Sequence, residues 1–284
     1  MRVCNNLTEL HEMNRVWRTS GHTIAFVPTM GNLHAGHLEL VRKAKQIADR
    51  VVVSIFVNPM QFAEGEDFDR YPRTLDKDIK LLEKAGVDAL FLPDEDMIYP
   101  RGLEHSTVIE VPHLSDRLCG RSRPGHFRGV TTVVSKLINL VRPDYALFGE
   151  KDFQQLQIIR RMADDLALWT EIIGVPTVRE SNGLAMSSRN QYLTEQEREQ
   201  AGVLYLTLQQ SAEQIMMGQR DYRKIEKNAA KRLKNAGFKV DYVEICNKHD
   251  LQPATPEDNE LCILAAAHLG KARLIDNIQL TLED

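Results

Sequence analysis

The apolar positions of the chain change period as it runs, and the changes mark out its elements. Ile24–Pro28 is a short apolar run. After a glycine-containing loop it gives way to His37–Ala48, where Leu38, Val41, Ala44 and Ala48 recur at helical spacing. Val51–Val57 is continuously apolar and β-branched, as a central parallel strand covered on both faces requires. Together these predict a βαβ unit. The alternation goes on, with a helix near Arg73–Ala85, a strand at Val87–Leu92, a helix near Val130–Val141 and a strand at Tyr145–Gly149. A helix from about Asp152 to Leu168 and a strand at Glu171–Val175 complete it. Strands separated by helices predict an α/β fold with a doubly wound parallel sheet, whose ligand site lies at the carboxyl ends of the strands.

Beyond Pro176 the pattern changes. A polar loop leads into a predicted long helix from Thr194 to about Met217, then a second helical stretch to Ala236 with Gly237 as its stop signal. The segments KVDYVEIC (239–246), LCILAAA (261–267) and ARLID (272–276) read as three strands of a small sheet. The expected organisation is therefore a first domain over residues 1–178 and a smaller α+β domain over 179–284.

Composition narrows the function classes. With 284 residues, 43% hydrophobic and 27% charged, the chain has a globular balance and enough length for two cores. A net charge of −4 argues against an extended nucleic-acid surface, whose affinity comes from clustered Lys and Arg. Four dispersed cysteines, Cys4, Cys119, Cys246 and Cys262, form no C-x-x-C pair and suggest neither zinc nor a disulfide framework. The amphipathic N-terminus lacks the apolar stretch of a signal peptide and no later stretch reaches bilayer-spanning length, so the expected compartment is the cytoplasm. Asn6-Leu7-Thr8 matches a glycosylation acceptor, but with no secretory context it is set aside.

Candidate chemistry clusters at strand ends. In Pro28–His37 two glycines, Gly31 and Gly36, let the backbone approach a phosphate, and the following helix start offers N–H groups and a favourable dipole. His34 and His37, three residues apart there, face one ligand and can stabilise charge as pyrophosphate departs. Taken alone, the pair is also what a polar helix start or a chance metal pair looks like. Helical metal pairs, however, favour four-residue spacing, and no third ligand stands nearby. At Gly149-Glu150-Lys151-Asp152, Lys151 can meet phosphate and Asp152 can accept from ribose hydroxyls, although such a run is also ordinary helix capping. Met186-Ser187-Ser188-Arg189 combines two hydroxyls with a guanidinium, suited to a polyphosphate, in what is otherwise linker composition. Asn58-Pro59-Met60-Gln61 follows the second strand, and the Gln61 amide can both donate and accept toward a hydroxy acid.

These segments resemble one known family, the pantoate–β-alanine ligases. The matching strings are PTMGNLHAGH (28–37), VSIFVNPMQF (53–62), YPRTLDKD (71–78), RPGHFRGVTTVV (123–134), LFGEKDFQQL (147–156) and GLAMSSRNQYL (183–193). They cover nearly all of the first domain and the start of the second. The resemblance implies a Rossmann-like domain carrying the H-x-G-H pattern of class I aminoacyl-tRNA synthetases and nucleotidyltransferases, plus a smaller C-terminal lid. It implies a cytoplasmic homodimer that uses ATP with Mg2+ to condense pantoate with β-alanine through an acyl adenylate, releasing AMP and pyrophosphate. No protein-bound metal site is expected.

By the same resemblance Met30, Gly31, Asn32, Leu33, His34, Ala35, Gly36 and His37 hold ATP, with His37 in the general-acid position. Gly149, Glu150, Lys151 and Asp152 meet ribose and phosphate, Val178 the adenine side, and Met186, Ser187, Ser188 and Arg189 the triphosphate. Gln61 and Gln155 bind pantoate, Asn58 and Arg123 are expected to bind substrate with them, and His34, His37, Lys151 and Arg189 stabilise the departing pyrophosphate. Two other readings compete. A nucleotidyltransferase would keep the nucleotide on its product, against which the acid-binding Gln61 and Gln155 speak. A regulatory module would bind ATP without turnover, yet the cationic groups that chemistry needs are present.

Overall fold

The computed structural model describes residues 1–62, 66 and 68–282. In chain order it contains β1 (Arg2–Cys4), α1 (Leu7–Thr19), β2 (Ile24–Thr29), α2 (Ala35–Ile47), β3 (Arg50–Ile55), α3 (Leu75–Lys84) and β4 (Ala89–Phe91). Next come α4 (Glu95–Ile98), α5 (Cys119–Ser122), α6 (His126–Val141), β5 (Tyr145–Gly149), α7 (Phe153–Asp165) and β6 (Glu171–Val175). Then follow α8 (Glu195–Ala201), α9 (Val203–Met216), α10 (Tyr222–Asn235), β7 (Lys239–Asn247), β8 (Glu260–Leu269) and β9 (Ala272–Thr281). Two compact units result, Met1–Glu150 with Ile158–Pro176, and Lys151–Gln157 with Thr177–Asp284.

In the first unit six strands form one sheet in the order β1-β4-β3-β2-β5-β6, and every neighbouring pair is parallel. The β-branched runs sit at its centre because both faces are covered. Ala25, Val27, Val51, Val53 and Leu90 share one buried cluster with Leu40, Val41 and Ala44 of α2. Phe26 and Val52 alternate to the opposite side and are fully buried. The doubly wound α/β expectation is met. From β2 the chain runs outward through β3 and β4, then returns to place β5 on the other side of β2. This reversal makes a crevice beyond the carboxyl ends of β2 and β5, the place where doubly wound sheets bind ligands.

The second unit has an antiparallel sheet in the order β7-β8-β9. Leu204, Leu208 and Ile215 of α9 and Ile225 and Leu233 of α10 bury against Ile245, Ile263 and Leu274 of that sheet. The expected helix from Thr194 to Met217 is two helices meeting at Gly202, where a Cβ would stand 2.3 Å from the Asn182 carbonyl oxygen. That close backbone approach, which apolar periodicity does not register, requires glycine at the junction.

Candidate active site

The loop from β2 to α2 is built around one buried carboxylate. Asp78, in the first turn of α3 and 1% exposed, accepts the main-chain N–H of Asn32 and of Leu33, each at 2.8 Å, and the Thr74 hydroxyl at 3.1 Å. Thr29 Oγ1 donates to the Ser54 carbonyl and accepts from Gly31 N–H, which ties the loop's start to β3. Gly31 has φ +81°, and a Cβ there would lie 3.1 Å from Ile55 and 3.2 Å from the Asp78 carboxylate. Only glycine makes this turn without strain. The chain then enters α2 with His34 as N-cap.

His34 Nδ1 accepts the Gly36 N–H at 3.1 Å, and His37 Nδ1 accepts the His34 N–H at 3.3 Å. The two form a reciprocal capping box, with ring centroids 4.1 Å apart. Because each Nδ1 accepts, the proton of each neutral ring sits on Nε2, so Nε2 is the donating nitrogen. Met30 through His37 thus form one short segment at the carboxyl end of β2, the arrangement that suits phosphate.

Beside it stands Gln61, in a 3₁₀ turn after β3. Asn58 is 1% exposed and uses its whole hydrogen-bonding capacity on protein groups. Its Nδ2 donates to Gln61 Oε1 and to the Gly129 carbonyl, both at 3.1 Å, while its Oδ1 accepts from Met60 N–H at 3.3 Å and the Tyr99 hydroxyl at 2.6 Å. This fixes the Gln61 amide with its N–H group turned toward Met30 Sδ, 2.9 Å away. The turn rests on Gly129 of α6, where a Cβ would meet the Met60 carbonyl at 2.4 Å. His126 Nδ1 donates to the Gln61 carbonyl at 2.7 Å, and its Nε2 accepts from Arg123 at 2.9 Å. Arg123 also forks onto both Glu66 oxygens at 2.6 and 2.5 Å. In this arrangement Asn58 and Arg123 lie behind Gln61 and are engaged by protein groups.

Gly149 ends β5, and Glu150–Asp152 form a 3₁₀ turn leading into α7. In the second unit Lys151 Nζ lies 3.6 Å from Asp152, and the Lys151 carbonyl accepts from Asn277 Nδ2 of β9 at 3.1 Å. Gln155 is half-buried in the first turn of α7. Val178 and Met186 are bonded across a tight hairpin, Met186 N–H donating to the Val178 carbonyl and Glu180 N–H to that of Leu184. Ser187 then caps a 3₁₀ turn, accepting the Arg189 N–H at 3.2 Å.

Apart from Arg123, which follows α5, and Gln155, in the first turn of α7, the residues named from sequence sit on adjacent strand ends of the first unit and on turns of the second. A family model for pantoate–β-alanine ligases matches residues 2–279. The chain belongs to that family. It is 55% identical over 283 residues to the pantothenate synthetase of Methylococcus capsulatus, covering 100% of this chain and 99% of the relative. It is 57% identical over 273 residues to that of Shewanella amazonensis, 96% of each being covered. Among solved structures, pantothenate synthetase from Thermus thermophilus superposes with a TM-score of 0.91 at 42% identity, covering 98% of this chain and 99% of that one. The Francisella tularensis ligase, complexed with β-γ ATP and β-alanine, superposes at 0.80 with 36% identity, covering 98% and 97%.

Sequence reasoning about this ligase missed Asp78, although it lies within the YPRTLDKD string. An acidic residue in a helix's first turn looks like capping, and only the fold carries it 45 residues back to Leu33. Tyr99, His126, Arg179 and Asp276 were missed as well, since each acts through contacts distant in sequence.

Proposed function

We propose that this ligase works by an adenylate route at the carboxyl ends of β2 and β5. The pantoate carboxylate attacks the α-phosphorus of ATP, and the bond to the bridging oxygen breaks to release pyrophosphate. The β-alanine amine, having lost its proton, then attacks the mixed anhydride carbonyl and expels AMP as the amide forms. In this reading Met30–His37 and Gly149–Asp152 hold the nucleotide, Val178 borders adenine, and Met186–Arg189 contact the triphosphate. His34 and His37, donating from Nε2, join Lys151 and Arg189 in stabilising the leaving pyrophosphate, with His37 as the proton donor.

Gln61 and Gln155 hold pantoate. Asn58 and Arg123 serve the same side, acting through Gln61. No protein nucleophile is needed, because positioning and charge stabilisation carry such a reaction.

The observation that supports this reading most is the His34–His37 capping box, which leaves the Nε2 of both imidazoles as the donating nitrogen at the start of α2, in the segment whose Met30 is met by Gln61. Among the described residues no group of three His, Cys, Asp or Glu side chains is placed to hold a metal. The Asp78 carboxylate, moreover, is taken up by two amides and a hydroxyl. In this reading Mg2+ enters with the substrate as MgATP. The Francisella ligase, seen with β-γ ATP and β-alanine, supports ATP and β-alanine as two of the substrates. Among the described residues no helix is long and apolar enough to cross a membrane. A homodimer in the cytoplasm completes the proposal. Incubation with pantoate, β-alanine and MgATP tests it: pantothenate and AMP should appear in equal amounts, and ADP in place of AMP would contradict it.

A further inference from the structure

The second unit holds a buried ion pair that the reaction scheme does not use. Asp276 of β9, 4% exposed, accepts both arms of the Arg179 guanidinium at 2.6 and 2.9 Å. Arg179 Nη1 also donates to the Gly183 carbonyl at 3.0 Å, and the guanidinium lies 3.4 Å from the centre of the Tyr205 ring. These contacts fix the hairpin whose two ends are Val178 and Met186, the first assigned to the adenine side and the second to the triphosphate.

The same carboxylate reaches the other nucleotide segment of this unit. Asp276 accepts the Asn277 N–H at 2.8 Å, and the Asn277 side chain donates to the Lys151 carbonyl. Lys151 also acts electrostatically on Asp276. Burial pushes the Asp276 carboxyl up, so the pair is held against a desolvation cost that Arg179 offsets. Buried ion pairs are commonly no more stabilising than apolar residues of the same size, so stability alone does not account for this one.

We propose that Asp276 is a positioning residue for ATP, one carboxylate that sets the 178–186 hairpin through Arg179 and the Lys151 turn through Asn277. The inference rests on the nucleotide assignments of the proposed function. It predicts a requirement for charge and fork geometry at Asp276, because an amide there presents N–H to one arm of a guanidinium that can only donate.

The test compares wild type with Asp276→Asn, Asn277→Ala and the apolar double replacement Arg179→Met/Asp276→Leu. MgATP affinity is measured by calorimetry, pantoate-dependent pyrophosphate exchange by label, and the thermal midpoint by scanning. Asp276→Asn should weaken MgATP about tenfold, the size expected for one charge-assisted bond. Asn277→Ala should slow exchange without a comparable loss of midpoint. The apolar pair should hold its midpoint near wild type yet keep the weakened MgATP affinity, which a merely structural ion pair would not do. Wild-type MgATP affinity in Asp276→Asn, or recovery of both affinity and midpoint in the double replacement, would overturn the proposal. Wild-type enzyme that binds MgATP but shows no pantoate-dependent exchange would count against the functional reading instead, since the calorimetric comparison still decides the role of Asp276.

Discussion

The Tyr99 hydroxyl donates to Asn58 Oδ1 across 2.6 Å, with both residues 1% exposed. Burial, reinforced by Glu95 and opposed by the Asn58 bond, raises the phenol well above its ordinary value, so it remains a donor at every working pH. Since Asn58 in turn holds the Gln61 amide, Tyr99→Phe should disturb the acid side of the site while leaving the ring's packing intact. The expected result is a rise of about three- to tenfold in the KM for pantoate, the worth of one buried hydrogen bond, with the KM for ATP nearly unchanged. Steady-state kinetics with each substrate varied decides it. Equal effects on both substrates would show that the hydroxyl serves general packing.

Asp78 carries a heavier consequence, because its removal leaves the buried Leu33 N–H and the part-buried Asn32 N–H without their acceptor. Asp78→Ala should lower stability by about 2–5 kcal/mol and reduce kcat/KM by on the order of 10- to 100-fold, since the loop that presents His34 loses its anchor. Denaturant unfolding and kinetics on the remaining folded fraction measure the two effects separately. A stable variant of normal activity would mean that the loop is held without the carboxylate.

Glu180 makes a pH-dependent prediction. Its carboxylate accepts the Arg198 fork at 2.7 and 2.8 Å and the Asn190 amide at 3.0 Å. The Arg198 hydrogen bonds, helped by Asn190 and opposed by burial, hold the carboxyl below its usual range. A lowered carboxyl pKa gives stability that is complete above the unfolded value, about 4.3, and is lost as pH falls through the folded one. The gap in thermal midpoint between wild type and Glu180→Gln should therefore be open at pH 7 and close as pH drops below about 4. A gap constant across that range would rule the carboxylate's charge out as its source.

What the sequence made legible divides along physical lines. Central strands were readable because burial on both faces demands unbroken β-branched runs such as Val51–Val53, and the glycines and histidines of the β2 loop lie contiguous in the chain. The three-residue β1 carries too little pattern to see, and the junction at Gly202, where Asn182 comes close, lies at a contact distant in sequence that the apolar period does not mark. The residues that hold the site were hidden for a related reason. Asp78 to Leu33 spans 45 residues and Arg179 to Asp276 spans 97, so only the folded chain brings them together. The grouping of Lys151–Gln157 with the second unit was hidden likewise, as its tie to Asn277 spans 126 residues.

The central claim is that activation of pantoate precedes any encounter with the amine. Exchange of labelled pyrophosphate into ATP, measured with pantoate present and β-alanine absent, tests it most directly. The adenylate route predicts exchange that depends on pantoate, needs no β-alanine, and falls by several powers of ten in His37→Ala and Lys151→Ala while both variants keep a near-normal thermal midpoint. Exchange that appears only when β-alanine is added would contradict the two-step route, and undiminished exchange in the two folded variants would contradict the roles given to His37 and Lys151.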